Sequence, residues 1–351
     1  MKYPAVLNFD TILPSLEDFD TIIDARSESE FALDHIPGAI NCPVLNDAER
    51  ILVGTAYKQV GSFEAKRLGA PLVAKNIARA VETMFADKPR DWKPLVYCWR
   101  GGNRSGSMAL IFAKIGWPVV QLEGGYKAFR AHVSATLAQP CTLDFRVICG
   151  TTGSGKSRLL QVLDSIGTQV LDLEQLAAHR GSVLGNLPNE PQPSQKAFET
   201  RIWDLLRRFD PARPVFVESE SKKVGNLRVP DAVMERMRAS PCIALQLSRP
   251  NRVRLLMEDY EHFAADPAAL NAQLDHLVQL HGHAKIAAWH QLANDGRMPE
   301  LVDQLLVEHY DPAYLRSIDR NFAQYGQAEP LELADIGPDD FLGAARHLHP
   351  G

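Results

Sequence analysis

The chain has 351 residues, enough for two domains that each bury a core, and its 45% hydrophobic and 23% charged fractions are ordinary for a globular protein. A formal net charge of -5 gives no global electrostatic case for nucleic acid, although it leaves room for a local basic face. Five scattered cysteines with no CxxC pair argue against both a disulfide framework and a zinc site.

Met1-Lys2-Tyr3-Pro4 leads into a polar, acidic stretch, and no apolar run approaches the ~18 residues of a membrane span, so a cytoplasmic protein without membrane attachment is expected. In chain order, short apolar runs at 21–24, 94–98 and 118–122 read as strands, and the patterns at 105–115 and 126–136 read as helices. This alternation predicts an α/β unit with a mainly parallel sheet. The Gln139-Pro140 step marks its end, which predicts domains at 1–138 and 139–351. The second part alternates likewise: strands at 145–149, 169–173, 214–218 and 242–247, with helices at 157–166, 194–209 and 231–239. Helical patterns then follow at 251–263, 268–280, 284–293 and 299–308, before a last strand at 330–333. The spacing predicts a doubly wound P-loop NTPase-like domain with a helical extension.

The chemistry concentrates in two loops. Gly150-Thr151-Thr152-Gly153-Ser154-Gly155-Lys156-Ser157 stands between a predicted strand and an amphipathic helix, the context of a phosphate-binding P-loop. Gly150, Gly153, Ser154 and Gly155 let backbone N–H groups approach phosphate oxygens, Lys156 neutralises charge, and the Ser157 hydroxyl is the candidate contact for Mg²⁺. The motif is short enough to occur by chance as a Gly-rich turn, and it does not establish nucleotide hydrolysis, because a diphosphate leaving group fits the same cradle. Asp172 and Glu218 end predicted strands, where a metal carboxylate or a base can sit; a helix cap or a surface acid is an equal reading. His179 and Arg180 follow the second predicted strand of this domain, 169–173, and are candidates for the same site. Between Lys196 and Arg254 there are 13 Lys or Arg against 7 Asp or Glu, either a solvated helical surface or a phosphate-backbone footprint.

Upstream, Cys98-Trp99-Arg100-Gly101-Gly102-Asn103-Arg104-Ser105 runs from a strand into a helix. Amides of such a turn and the positive end of the helix favour an anion at the sulfur, and Arg100 and Arg104 can add charge-assisted contacts around Gly101 and Gly102. The bland reading is a buried, inert thiol.

Asp24-Ala25-Arg26, Glu30-Phe31, His35 to Asn41, the Cys98 loop and Leu122-Glu123-Gly124-Gly125-Tyr126 together resemble a rhodanese domain over roughly the first 130 residues. The resemblance implies that Cys98 is the nucleophile, carrying a persulfide or an analogous chalcogen, and that Asp24, Arg26 and His35 are scaffold. Five residues separate Cys98 from Arg104, where common sulfurtransferase loops have four; phosphatases built on this fold share the longer spacing, although Tyr97 stands where they usually have His.

The pair of loops, with Asn46 to Arg50, Val53-Gly54-Thr55, Tyr57-Lys58-Gln59, Asp172-Leu173-Glu174, His179 to Ser182, Glu218 to Ser221 and His309-Tyr310-Asp311-Pro312, resembles the bacterial tRNA 2-selenouridine synthase family over nearly the whole chain. That resemblance implies a transferase acting on wobble 2-thiouridine of tRNA, with Lys, Glu and Gln acceptors. It implies geranyl diphosphate and selenophosphate as substrates, an S-geranyl intermediate, and no bound prosthetic group. Trp99, Trp203 and Tyr57 are candidates for stacking on the target base, with packing the commoner role for each. The alternative is a cytosolic sulfurtransferase or phosphatase fused to a P-loop kinase-like domain.

Overall fold

A computed structural model describes residues 3–182, 184–187, 190–261 and 266–349. Two compact units are present, residues 1–136 with Glu199–Asp204, and Leu137–Phe198 with Leu205–Gly351.

In the first unit, strands β1 (Ala5–Leu7), β2 (Thr21–Asp24), β3 (Ala39–Asn41), β4 (Pro94–Tyr97) and β5 (Val120–Leu122) form one sheet in the order β1-β5-β4-β2-β3. Every pairing is parallel. The central strand β4 is buried along its whole length, as expected for a strand covered on both faces. Cys98 follows directly from it, and helix α5 (Asn103–Ile115) begins five residues later. Met108, Ala109, Phe112 and Ala113 on α5 face a core that contains Phe85, Trp92 and Trp117. Of the earlier helices, α1 (Phe9–Ile12) and α2 (Glu28–Leu33) are short, while α3 (Asp47–Gln59) and α4 (Ser62–Thr83) form a hairpin that the sequence pattern leaves unassigned. Helix α6 (Gly125–Leu137) closes the unit.

The second unit contains another parallel sheet. Its strands are β6 (Phe145–Cys149), β7 (Gln169–Leu171), β8 (Val215–Glu218), β11 (Cys242–Leu247) and β12 (Glu329–Leu333), in the order β12-β11-β6-β8-β7. A two-stranded ribbon, β9 (Lys223–Val224) with β10 (Leu227–Arg228), stands apart from it. The P-loop leaves the central strand β6 and enters helix α7 (Lys156–Ser165), which packs Leu159, Leu160 and Leu163 inward. A ligand bound there lies beyond the carboxyl ends of the strands, where open α/β sheets hold their ligands.

β7 stops at Leu171, two residues before the predicted end. Asp172 instead caps helix α8 (Leu173–Ala177), its Oδ1 accepting the Gln175 N–H at 2.7 Å. Beyond β11, helix Arg249–Asp259 replaces the pattern at 251–263, of which 262–263 lie outside the described residues. Helices Pro267–Leu274, His283–Asn294 and Met298–Leu305 follow and enclose a second core around Leu274, Trp289 and Leu301. A π-helical turn, Leu306–Tyr310, then leads into helix Asp311–Asn321. Among the described residues, no helix is long and apolar enough to cross a membrane.

Candidate functional sites at the thiol loop and the P-loop

Cys98 is buried, and its Sγ accepts a hydrogen bond from the Ser105 hydroxyl at 3.2 Å. Gln121 extends this chain, donating from Nε2 to Ser105 Oγ at 3.3 Å and to the Gly101 carbonyl at 2.6 Å. The start of α6 holds the other side of the loop: the N–H groups of Tyr126 and Lys127 donate to the carbonyls of Cys98 (2.8 Å) and Trp99 (3.0 Å). This explains Gly125, whose φ is +56° and where a Cβ would fall 2.2 Å from the Cys98 carbonyl oxygen.

Arg104 is bound to Glu30 at 2.7 Å, and Arg50 reaches the same carboxylate at 3.0 Å. Burial pushes Glu30 up, but Arg104 and Arg50 outweigh it and hold the carboxyl below its ordinary range. Arg104 therefore anchors the loop to α2, whereas Arg100 is exposed. Asp24 and Arg26 form a fully buried ion pair at 2.6 Å, and Arg26 also donates to the Asp34 carbonyl and lies over the Tyr126 ring. These are scaffold contacts.

At the second loop, Gly155 has φ +91° and is the N-cap of α7. The first-turn amides of α7 have no intrahelical acceptors, so they point into solvent with the positive end of the helix dipole. Lys156 Nζ donates to the Gly150 carbonyl at 2.6 Å and stands 5.1 Å from the Tyr314 ring centroid, which holds the ammonium at the loop. Tyr314 braces the turn by accepting the Gly150 N–H at 2.9 Å and pairing with the Ser219 hydroxyl. Among the described residues, the buried Ser154 hydroxyl has no hydrogen-bond partner.

A pocket of about 670 Å³ opens at this loop, lined by Gly153, Gly155, Lys156 and Ser157 together with Asp172, Glu174, His179, Arg180 and Glu220. Ser157 Oγ donates to Glu174 Oε2 at 2.8 Å, so the carboxylate on this hydroxyl is Glu174, not a strand-end acid. Glu218 lies behind it, buried, accepting the Glu174 N–H at 2.9 Å. Glu174 and Glu220 meet over Gly181, where a Cβ would lie 2.8 and 2.5 Å from their oxygens. Desolvation, then the neighbouring Glu174, push Glu220 up to about 8; burial pushes Asp172 up to about 6 and Glu218 well above its ordinary value. Burial also lowers His179, whose Nδ1 accepts the Gly181 N–H at 3.0 Å.

The Ser157–Glu174 pair fits Mg²⁺, which keeps several waters and takes phosphate oxygens beside one or two protein oxygens. Among the described residues, no group of three or more His, Cys, Asp or Glu is arranged to hold a metal without such a ligand.

Sequence reasoning singled out Glu174 and Glu220 only within motifs and passed over Tyr314. It also read Arg252 as surface charge. Arg252 is buried, donates to the Thr152 carbonyl at 2.9 Å and binds Asp311 in a two-pronged pair at 3.0 and 2.6 Å. Arg249 and Arg254 pair with Asp303 and Asp335, so acids from beyond the 196–254 run neutralise part of it. Of the stacking candidates, Trp203 is 1% exposed and is core, while Trp99 and Tyr57 are 37% and 61% exposed.

Residues 12–132 match the rhodanese-like domain family, and residues 143–272 match the family described as the tRNA 2-selenouridine synthase AAA domain. A tRNA 2-selenouridine synthase of Sulfurovum sp. is 30% identical over 360 residues, covering 91% of this chain and 97% of that relative. The chain belongs to the tRNA 2-selenouridine synthase family. A relative of the same name from Bordetella bronchiseptica is 33% identical over 84% of this chain and 87% of its own length. One from Nitrosomonas europaea is 37% identical over 68% of this chain and 63% of its own length. Cys98 falls within the matched rhodanese-like domain and Gly150 to Ser157 within the matched AAA domain. Membership in the family makes this an enzyme that modifies tRNA.

Proposed function

We propose that this chain converts wobble 2-thiouridine of tRNA to 2-selenouridine in two steps, in the cytoplasm and on the Lys, Glu and Gln acceptors. In the first, the thiocarbonyl sulfur attacks the allylic carbon of geranyl diphosphate. A C–S bond forms, the C–O bond breaks, diphosphate leaves and the N3 proton is lost. Alkylation turns sulfur into a better leaving group: in the second step the selenium of selenophosphate attacks C2, the C2–S bond breaks and geranylthiol leaves with a proton. Water then cleaves the P–Se bond, releasing phosphate and leaving the 2-selenouridine protonated at N3.

The observation that carries this reading is the cradle at α7, where first-turn amides, Lys156 and the Ser157–Glu174 pair surround one pocket. Oriented N–H groups and a fixed ammonium stabilise the charge that develops on a departing diphosphate. Ser157 and Glu174 would hold Mg²⁺ here, which would supply Lewis-acid neutralisation of the same charge. Cys98 serves the selenium step, with Ser105 and the amides at the start of α5 as its anion-stabilising groups.

The test is incubation of the folded protein with 2-thiouridine-containing tRNA, geranyl diphosphate and selenophosphate, singly and together, with mass spectrometry of the wobble nucleoside. A geranyl adduct from the first donor alone, followed by selenium incorporation with the second, is expected. An unchanged nucleoside with active donors overturns the reading in favour of a phosphatase or sulfurtransferase fused to a kinase-like domain.

A further inference from the structure

An apolar cavity of about 50 Å³ adjoins the phosphate pocket. Five residues, Thr152, Ser182, Leu256, Tyr260 and Tyr310, line both spaces, so the two are separated by no more than these side chains. Thr152 belongs to the P-loop. Leu256 sits directly on the same loop, its side chain 2.9 Å from where a Cβ of Gly153 would stand. The apolar space therefore begins within one side chain of the phosphate cradle. We propose that it is a hydrocarbon slot that receives the tail of an allylic diphosphate and limits its length. The proposal rests on the reading that the P-loop holds the diphosphate of a prenyl donor.

The chemistry of the lining selects the ligand class. Past the shared mouth, the walls are aliphatic side chains, among them Met257, Leu270, Met298, Leu301 and Leu305. A purine or pyrimidine needs hydrogen-bonding partners for its edges, because a buried polar edge left unpaired is costly. Among the described residues the deeper walls offer none, whereas a branched hydrocarbon needs only to leave water. The described wall is also firm: Leu301 and Leu305 belong to the buried core of the helical extension. Two thioether side chains, Met257 and Met298, are unbranched and can rotate to follow an irregular chain.

The turn that carries Tyr310 supports the assignment. Leu306–Tyr310 is π-helical, and both of its end residues line the cavity. The wider turn changes the side-chain phase between helix Met298–Leu305 and helix Asp311–Asn321, so Leu305 faces the slot while Tyr314 braces the P-loop. Such local π-turns are rare and concentrate at functional sites.

Size sets an expectation for chain length. The cavity, of about 50 Å³, suits the branched end of one isoprene unit, so a ten-carbon chain reaching in from the phosphate pocket fills it and a fifteen-carbon chain overruns it. Burying a methylene changes affinity by roughly fourfold. Geranyl diphosphate is therefore expected to bind the wild-type protein at least about tenfold more tightly than inorganic diphosphate.

The experiment measures binding of inorganic, dimethylallyl, geranyl and farnesyl diphosphate by calorimetry, and adduct formation on 2-thiouridine-containing tRNA with the three prenyl esters. Leu305→Phe, which narrows the slot, should weaken geranyl diphosphate about tenfold and leave inorganic diphosphate within about twofold of wild type. Leu301→Ala, which deepens it, should shift preference from the ten-carbon toward the fifteen-carbon ester by about tenfold. Unchanged inorganic diphosphate binding certifies that each variant keeps its cradle. If geranyl diphosphate binds wild type no more tightly than inorganic diphosphate, or if both folded variants keep the wild-type order of chain lengths, the slot is overturned. If the slot behaves as expected but no prenyl ester gives an adduct, the slot stands as a binding site and the two-step reading fails instead. An adduct that forms without any chain-length selection has the opposite meaning.

Discussion

Ser157 donates its hydroxyl hydrogen to Glu174 Oε2 at 2.8 Å, joining the first turn of the P-loop helix to the first turn of α8. The bond orients both oxygens toward one side of the phosphate pocket, which both residues line. A divalent cation bridging to diphosphate would take a ready-made pair there. Glu174→Gln is therefore expected to raise the Mg²⁺ concentration needed for half-maximal diphosphate binding by about tenfold or more, and Ser157→Ala should do likewise. Calorimetric titrations across a Mg²⁺ series check this; superimposable curves for wild type and both variants would sink the assignment.

The raised carboxyl of Glu220 predicts how stability varies with pH. In the unfolded chain a Glu titrates near its ordinary value of about 4.3, whereas in the folded pocket Glu220 keeps its proton up to about 8. Between those limits the folded state binds more protons than the unfolded one, so this group makes stability fall as pH rises, with the loss complete above about 8. Glu220→Gln should flatten that part of the melting-temperature profile between pH 5 and 8.5 (~3.5 units of scan) relative to wild type. Parallel profiles for the two proteins refute the protonated state.

Diphosphate binding should respond to the same group. Above about pH 8 the deprotonated Glu220 places a second negative charge beside Glu174, opposing a polyanion in the pocket. Without Mg²⁺, affinity for inorganic diphosphate is expected to fall severalfold between pH 6.5 and 9 beyond what Glu220→Gln shows, an effect of about 1 kcal/mol at this range of separation and screening. A variant with the wild-type slope would assign the pH dependence to the ligand alone.

The thiol loop predicts a separation of steps. Cys98→Ser should leave S-geranylation of tRNA within about twofold of wild type and reduce selenium incorporation by at least about 100-fold, because a hydroxyl is a far weaker nucleophile than a thiolate. Ser105→Ala removes the donor at 3.2 Å from Sγ and should slow only the selenium step, by about tenfold. Mass spectrometry of the nucleoside after each donor distinguishes the steps; loss of geranylation in Cys98→Ser would disprove the division of labour between the loops.

The parts of this fold that were legible in the sequence are those where local pattern and burial agree. From Phe145 to Ser165 a buried strand, a Gly-rich turn and Leu159, Leu160 and Leu163 at helical spacing all point one way. The same holds for β4, the Cys98 loop and α5. By contrast, β1 is three exposed residues whose strand character comes from pairing with β5, a contact far away in sequence. In the α3–α4 hairpin, Gly54, Gly61, Gly69 and Pro71 interrupt the helical signal, while Ile51, Val60 and Phe63 face outward, so no apolar stripe marks the buried side. Gly69 is there for close approach, a Cβ at that position meeting Val53 at 3.3 Å. The pocket hid its wall for a related reason: Lys156 and Tyr314 lie on different helices and Glu220 in the loop after β8, so they share no local spacing. For Asp172 the sequence leaves a helix cap and a site carboxylate as equal readings, because the capping role depends on where β7 stops.

Arg252 offers a test of whether the helical extension supports the P-loop. It is 6% exposed and joins the Thr152 carbonyl to Asp311, the first residue of the helix that also carries Tyr314. Removing one member of such a pair leaves the other charge buried and unmatched, at a cost of about 3 to 5 kcal/mol when burial is complete and less here, since Asp311 is 25% exposed. Arg252→Met should therefore destabilise the second unit by about 2 kcal/mol or more and weaken diphosphate binding through the displaced Thr152 carbonyl. The double variant Arg252→Met with Asp311→Leu should recover much of the stability, because neither charge is then left unmatched, but not the diphosphate affinity, because the tie to Thr152 is still missing. Denaturant unfolding and calorimetry on the four proteins of this cycle read the two effects separately. If the double variant regains full diphosphate affinity, Arg252 acts through fold stability alone and has no part in shaping the loop.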